Sequence, residues 1–281
     1  MKLLILVTVW SLMISIGMSL NWTQFVATWR RLTPAMWEKL LLVTFIIPPI
    51  IAIALQKLLP IDAGTFIGLY LVAVAPGAPL MTHRVAQRGF DMQMAASYQV
   101  WGAILTPVMV PLLVGFASWL YGRVVWIPPR QALWVIAKQQ FVPLVIGVLL
   151  MSYAPTFSIK VRRGLNVVGN ALLMIALIAL LLQMGPALKA VSPWVAIAAL
   201  ILAAGCIAAS ALLLTNRTTA VQTLVISNAN RHVGLALLIA GFHFGHQPAL
   251  PAIVAYAFAA QIIMWLYSKL TLHEIEAKMA N

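Results

Sequence analysis

Runs of apolar residues, separated by short polar stretches, occupy most of the chain. Because a helix needs about 20 predominantly apolar residues to cross a bilayer, this pattern predicts an all-α polytopic membrane protein. We place about nine transmembrane helices along the sequence. Their predicted limits are 3–20, 40–59, 63–86, 92–121, 132–151, 165–182, 193–214, 220–244 and 250–270.

The eighth predicted helix contains polar residues where hydrocarbon is expected. A hydroxyl, two amides, a guanidinium and an imidazole lie within the stretch 227–232. Polar side chains inside a membrane are costly and usually face a cavity or a partner. We therefore predict that this helix is broken and that the break forms part of a binding site. Its predicted binding residues are Ser227, Asn228, Asn230, Arg231 and His232.

The third predicted helix has a second interruption, between Pro76 and Pro79. Proline removes a backbone donor from a helix, and the glycine that follows Pro76 tolerates conformations that other residues avoid. Arg84, beyond the break, either binds an anion or extends to the cytoplasmic surface. The predicted binding residues of this region are Thr82, His83, Arg84 and, on the fourth helix, Gln99.

The two interrupted helices are the third and the eighth, so their positions in the chain differ by five, an odd offset, and they cross the membrane in opposite directions. Inverted-topology repeats have this relation, and their discontinuous helices meet at a central binding site. We predict one transmembrane domain over residues 1–281, with a first repeat at about 1–125 and a second at about 130–272. A short polar tail follows at 273–281.

The composition supports a membrane protein and excludes several other classes. Hydrophobic residues make up 63% of the chain and charged residues 8%, whereas about 25% of a typical soluble domain is charged. The net charge of +13 arises from Lys and Arg that lie mostly between apolar runs, without interleaved aromatic residues. We therefore predict no nucleic-acid partner. Cys206, the single cysteine, lies in an apolar run and is predicted to be a small packing residue.

The basic residues predict the orientation of the chain. Lys and Arg accumulate in cytoplasmic connectors, so the side with the larger set is the cytoplasmic one. This places the N-terminus outside and the C-terminus in the cytoplasm, in a multi-pass protein of a cell inner membrane that contacts membrane lipid. The larger set is Arg30, Arg31, Lys39, Arg84, Arg88, Lys160, Arg162, Arg163, Arg217, Lys269 and Lys278, and the smaller is Lys2, Lys57, Arg123, Arg130 and Lys189.

Short motifs on five parts of the chain, in the expected order, resemble the bile acid:sodium symporter family. This resemblance implies a core domain with two crossing discontinuous helices and a panel domain that moves against it. It also implies import of organic anions, often driven by sodium. The motifs are Gly17-Met18-Ser19-Leu20 with Phe25, Leu71–Gly77 with Arg88-Gly89-Phe90-Asp91, Phe141–Gly147, Gly234-Leu235-Ala236 and His243-Phe244.

The residues that bind sodium in that family are not matched here. Ser227 stands where the family has Glu, Arg231 where it has Gln, and His232 where it has Asn. The Ser and Asn of the first crossing helix are also absent, and hydroxyl positions of the fourth helix read Ala95 and Gln99. Two unit charges 4 Å apart repel by about 4 kcal/mol at an effective dielectric of about 20, which weakens binding about a thousandfold. We therefore predict sodium-independent transport.

Arg231 has several possible roles, because none of the five acidic residues lies within a predicted span. Its guanidinium stays protonated and is costly to bury without a partner. It could face water, pair with Asp91 at the mouth of the fourth helix, bind carbonyls of the broken helix, or occupy a former sodium position. It could also bind an anionic substrate, together with the helix N-terminus that the break creates.

We predict a secondary transporter that moves a small organic anion by alternating access without sodium. His232 and His83 are either proton carriers or ordinary polar contacts, so a sodium- or proton-coupled symporter of the same family is an alternative. A transport-inactive sensor or scaffold is another. No nucleophile–base pair or zinc spacing occurs in the sequence, so we predict no enzyme, no metal and no cofactor. The sequence leaves the oligomeric state open.

Overall fold

The structure is a computed structural model that describes residues 2–20, 22–30, 32–77, 85, 89–122, 129–183, 192–215, 218–243 and 249–279. Every regular element in these ranges is helical. The α-helices are α1 (Lys2–Ser19), α2 (Trp22–Arg30), α3 (Pro34–Leu41), α4 (Ile47–Leu58), α5 (Ala63–Val74), α6 (Met92–Tyr121), α7 (Pro129–Ile136), α8 (Val142–Tyr153), α9 (Pro155–Gln183), α10 (Pro193–Leu213), α11 (Thr219–Ala229), α12 (Val233–His243) and α13 (Leu250–Met279). A first π-turn (Leu42–Ile46) joins α3 to α4, and a second π-turn (Ala137–Phe141) joins α7 to α8.

Several helices begin at a polar residue whose side chain accepts a backbone N–H, as helix N-termini require. Asp62 accepts from the Thr65 N–H at 2.6 Å, and Asp91 accepts from two N–H groups at the start of α6. Thr33, Ser192 and Thr218 cap α3, α10 and α11 in the same way. Two of the few acidic residues therefore have a local structural role.

Seven apolar segments in the described ranges agree with a polytopic membrane protein. Five of them are long enough to cross a bilayer, at Pro34–Leu58, Met92–Tyr121, Pro193–Leu213, Thr219–Gly241 and Leu250–Thr271. Two shorter apolar helices lie at Leu6–Ser19 and Ala63–Val74. The count of nine transmembrane helices stays a prediction.

The polar connector predicted before the second span is largely helical. Trp29 of α2 is 6% exposed and stacks on Trp101 of α6, with ring centroids 5.6 Å apart. Trp37 of α3 packs on the same pair. Buried aromatic contacts therefore hold the amphipathic helix α2 against α6. The sequence did not predict this arrangement.

Two other boundaries differ from the prediction. The sixth helix, α9, begins at Pro155, so Lys160, Arg162 and Arg163 lie inside it rather than in a connector. Lys and Arg are good helix formers, and proline is favoured in the first turn, so the helix extends beyond its apolar part. Helix α13 likewise continues through the predicted polar tail to Met279.

The helices pack as two groups. The peripheral group consists of α1, α8 and α9, in which α1 packs against both of the others. The central group consists of α4, α5, α6 and α10–α13, with α10 and α13 in close contact. Helix α1 also reaches α12, and the second π-turn reaches α6, so these elements connect the groups.

Candidate functional site at the crossing of two interrupted helices

The first interruption follows α5. Pro76 has no N–H and disfavours the helical conformation of the residue before it, and Ala75 has φ −104° and ψ 86°. Gly77 then adopts φ +73°, a conformation that only glycine takes easily. Residues 75–77 are all buried. A Cβ atom on Gly77 would lie 3.5 Å from the backbone oxygen of Gln99, so this break lies directly against α6.

The second interruption separates α11 from α12 at residues 230–232. It is shorter than the predicted break at 227–232, because Ser227 and Asn228 remain in the last turn of α11. The carbonyl of Ala229, at the end of α11, accepts a hydrogen bond from the Tyr256 hydroxyl at 2.7 Å. The α12 helix is apolar and begins at Val233.

One backbone hydrogen bond joins the two interruptions. The N–H of His232 donates to the carbonyl of Ala75 at 2.8 Å. Neither group has a helical partner in its own broken helix, and a buried backbone group without a partner is costly. The end of α5 and the break between α11 and α12 therefore lie at one place in the molecule. That the first helix continues beyond its break stays a prediction.

The first π-turn supplies free carbonyls to this crossing. The Ile47 N–H donates to the carbonyl of Leu42, five residues back, so it does not serve Val43. Pro48 and Pro49 have no N–H, which leaves the carbonyls of Val43 and Thr44 without helical donors. Near Pro48 and Pro49, the free carbonyls of Val43 and Thr44 can thus accept hydrogen bonds from side chains.

Asn228 connects four helical segments. Its Nδ2 donates to the Val43 carbonyl at 2.7 Å and to Ser210 Oγ at 2.7 Å. Its Oδ1 accepts from the Tyr98 hydroxyl at 3.1 Å, which also lies 3.2 Å from Thr44 Oγ1. The side chain is 1% exposed, so these partners replace water around the amide.

Arg231 is completely enclosed, with 1% of its surface exposed. Its Nη1 donates to the Thr44 carbonyl at 2.7 Å, and its Nη2 lies 3.9 Å from Cys206 Sγ. No ion pair to Arg231 occurs among the described residues, and Asp91 is used as the cap of α6. The structure therefore shows neither exposure of Arg231 to water nor pairing of Arg231 with Asp91, which were two of the alternatives.

His232 caps the start of α12. The Leu235 N–H donates to its Nδ1 at 3.0 Å, so Nδ1 acts as an acceptor and the imidazole is neutral in this arrangement. Its side chain is 1% exposed, and its Nε2 has no hydrogen-bond partner. A proton on Nδ1 would remove the cap, which argues against His232 as a proton carrier in this conformation.

The crossing contains several buried polar atoms without a partner. Among these are the Nδ2 of Asn230, the Nε of Arg231 and the Nε2 of His232, all nitrogen atoms, and the hydroxyl of Ser227. An unsatisfied buried polar group costs about 1–3 kcal/mol. Because Nε2 carries the proton of a neutral His232, the three nitrogens are donors that lack an acceptor.

The remaining predicted site residues have different outcomes. Gln99 is 1% exposed on α6, beside the first interruption. Thr82, His83 and Arg84 lie outside the described residues, so their predicted role stays a prediction. No group of three or more His, Cys, Asp or Glu residues within the described part of the chain could hold a metal ion.

Five residues contribute side chains to the site but were not predicted as site residues. They are Thr44, Tyr98, Cys206, Ser210 and Tyr256. Nothing local in the sequence marks them, since hydroxyl and thiol side chains are common in membrane helices. The free carbonyls, in contrast, follow from Pro48 and Pro49, because a proline removes the donor to the fourth residue before it.

A helix that ends at a buried break and meets an interrupted helix at a buried polar cluster resembles the discontinuous helices of many secondary transporters. The family comparison agrees with that class. The model of the sodium bile acid symporter family matches residues 6–191, and the chain belongs to this family, whose members are transporters rather than enzymes. The match contains the first interruption and ends before α10. No curated protein matches the chain.

Proposed function

We propose that this protein transports a small organic anion by alternating access and without sodium. The observation that supports the proposal is the crossing itself, where a permanently charged guanidinium is buried. Its own Nε and the side-chain nitrogens of Asn230 and His232 have no acceptor among the described residues. An anion would supply both the missing charge and the missing acceptors. The predicted substrate-binding residues are Ser227, Asn228, Asn230, Arg231 and His232, with Thr82, His83, Arg84 and Gln99 from the other interrupted region.

The described residues of the crossing do not suit a sodium ion. Sodium binds oxygen ligands and gains from a carboxylate, whereas Arg231 donates to the Thr44 carbonyl that a cation would need. Asp62 and Asp91 are engaged as helix caps. A mobile cation beside the guanidinium of Arg231 would be repelled, which supports sodium independence.

Alternating access would use the two helix groups. In transporters built from inverted repeats, one bundle moves as a rigid body against the other around a central site. The central group, which contains both interruptions, is our proposed core domain, and the peripheral group is our proposed panel domain. The two repeats, about 1–125 and 130–272, are part of this proposal.

Reconstituted liposomes test the proposal. Uptake of labelled small carboxylates and sulfonates should occur at the same rate with sodium or choline outside, and R231Q should abolish it. Arg163 is an exposed arginine of α9, so R163Q removes the same charge away from the crossing and should retain uptake. Stimulation of wild-type uptake by sodium would contradict sodium independence.

A transport-inactive sensor or scaffold is the second candidate, supported by the bond between Arg231 and the Thr44 carbonyl. If the protein is such a sensor or scaffold, liposomes with the wild-type protein take up no anion. Arg231 then only stabilises the crossing, so R231Q lowers thermal stability. If the proposed function holds, uptake is present in the wild type. Thermal unfolding of both proteins therefore accompanies the uptake assay.

We also propose that membrane lipid occupies a lateral groove. A cavity of about 570 Å³ lies between α6 and α7, within the size range of small-molecule sites. Its apolar wall includes Val108 and Leu112, which are 55% and 63% exposed, and Arg130 lies on its rim. An acyl chain suits this apolar wall. As part of the same proposal, the protein lies in an inner membrane, with its N-terminus outside and its C-terminus in the cytoplasm.

A further inference from the structure

Gln140 is a buried amide that nothing in the structure satisfies. It is 0% exposed, and neither its Oε1 nor its Nε2 has a hydrogen-bond partner. Its neighbours in the second π-turn are engaged, since Gln139 Oε1 accepts from Trp10 Nε1 at 2.7 Å and Lys138 Nζ lies 5.5 Å from the centre of the Trp134 ring. Buried polar side chains normally have partners, so Gln140 stands out from its surroundings.

The position of Gln140 explains where a partner could come from. The second π-turn packs against α1 of the peripheral group and α6 of the central group. The turn that carries Gln140 therefore lies where the two groups meet. In a transporter whose groups move against each other, this is the boundary at which a substrate would be enclosed.

Helix α1 links this amide to the crossing. A Cβ atom on Gly234 would lie 3.4 Å from Val9 Cγ2 and 3.4 Å from His232 Cε1. The next residue of α1, Trp10, holds Gln139. Val9 thus packs near the segment that carries His232 and Gly234, and the adjacent Trp10 bonds the residue before Gln140.

A proline follows each of the two π-turns at the same distance, which suggests a related function for the two turns. The first π-turn ends two residues before Pro48, and the second ends two residues before Pro143. In each, the next N–H donates five residues back, from Ile47 to Leu42 and from Val142 to Ala137. The first turn presents polar groups to Arg231 and Asn228, whereas the polar groups of the second include an amide with no protein partner. π-Bulges are frequent at functional sites.

We propose that Gln140 is a substrate-binding residue whose amide binds a neutral hydroxyl or amide group of the transported anion. A carboxamide offers an acceptor oxygen beside two N–H donors, so it complements a group that both donates and accepts. This inference rests on the proposed function, in which the acidic group of the substrate lies at Arg231. It narrows the substrate class to organic anions that also carry an uncharged hydrogen-bonding group.

The test uses pairs of anions that differ in one group. The pairs are lactate with propionate, and N-acetylglycine with levulinate. In liposomes and in thermal-shift binding assays, wild-type protein should prefer lactate or N-acetylglycine about tenfold over its partner, the effect of one well-formed hydrogen bond. The variant Q140L should bind and transport both members of the pair equally.

A matched control separates a binding role from a structural one. Gln56 of α4 is half-buried and its Oε1 also lacks a partner, so Q56L should leave the preference intact. Because Q140L replaces an unsatisfied amide by an apolar group of similar size, its thermal stability should equal or exceed that of the wild type. Lower stability, with equal loss for both anions, would show a structural role and overturn the proposal.

The outcomes distinguish this inference from the proposed function. Uptake without preference within either pair leaves the function standing and rejects the role of Gln140. Binding that depends on the hydroxyl or amide group and on Gln140, but without uptake, rejects transport and supports the inference. Neither binding nor uptake of any of the four anions rejects both.

Discussion

At the scale of single residues, Asn228 holds the crossing together more extensively than the charged residue beside it. Its two donated bonds and one accepted bond reach three other helical segments. Arg231, by comparison, donates to the Thr44 carbonyl at 2.7 Å and also contacts the Tyr256 hydroxyl. A neutral amide with every neighbour matched stabilises a buried site, whereas a buried cation costs free energy that only a partner offsets.

We expect N228A to destabilise the protein by about 2–4 kcal/mol, because it removes the donor to the buried Val43 carbonyl and one partner each of the Ser210 and Tyr98 hydroxyls. Thermal unfolding in detergent should show a decrease of several degrees. The control is Y98F, which removes a single hydroxyl next to the same amide and should cost about 1 kcal/mol. Equal effects of the two variants would contradict the central role of Asn228.

At the scale of elements, the prolines after the first π-turn determine what Arg231 can bind. Pro48 withholds the N–H that would otherwise bond the Thr44 carbonyl, and Arg231 Nη1 takes that place at 2.7 Å. A helix defect on one segment and a helix break on another therefore compensate each other.

P48A should weaken this contact by restoring a competing N–H. We expect P48A to lower thermal stability in the wild-type protein, and to be neutral or stabilising in an R231M background, with a coupling of about 1 kcal/mol. The matched control is P143A, at the same position after the second π-turn, which should show no coupling to R231M. Coupling at Pro143 as well would show a general effect of proline removal.

The contact between α1 and α8 is a second feature at this scale. A Cβ atom on Gly17 would lie 2.8 Å from Gly147 Cα and would overlap the Leu144 carbonyl. Small residues allow membrane helices to approach this closely, and the contact replaces the hydrophobic effect that lipid cannot supply.

We expect G17A to destabilise the peripheral group, because the two backbones must separate. Gly164 of α9 provides the opposite case, since a Cβ atom there would meet nothing within 4 Å. G164A should be neutral or should stabilise the helix by about 0.5–1 kcal/mol. Thermal unfolding of both variants checks this, and a stable G17A protein would disprove the close packing.

At the scale of the whole molecule, the surface agrees with a lipid environment. Trp119, Leu212 and Leu270 are 78%, 76% and 70% exposed, and soluble monomers rarely expose such apolar surface over a large area. A cluster of buried polar groups lies at the crossing, within a core that is otherwise mostly apolar.

The orientation of the chain is testable with reporter fusions. The positive-inside rule places the C-terminus in the cytoplasm and the connector after α4 outside. Alkaline phosphatase should be active when fused after Pro60 and inactive after Asn281, whereas green fluorescent protein should fluoresce after Asn281. The reverse pattern would show that the chain is inverted.

Much of this architecture follows from the sequence, because its causes are local. The length of an apolar run determines whether a helix can cross a bilayer. Pro76 followed by Gly77 removes a backbone donor and admits a left-handed conformation, which favours the end of α5 at this point. The resemblance to a transporter family likewise depends on short motifs, and the family match is consistent with it. The break near Arg231 was also expected, although its limits were too wide.

Only the tertiary structure decided which groups satisfy one another. Asn228 bonds a carbonyl 185 residues away, and Arg231 bonds one 187 residues away. Hydrophobic patterning indicates that such polar groups must find partners, but it holds no information on distant donors and acceptors. That Gln140 has no hydrogen-bond partner among the described residues is visible for the same reason, since a missing hydrogen bond depends on which distant residues surround the amide.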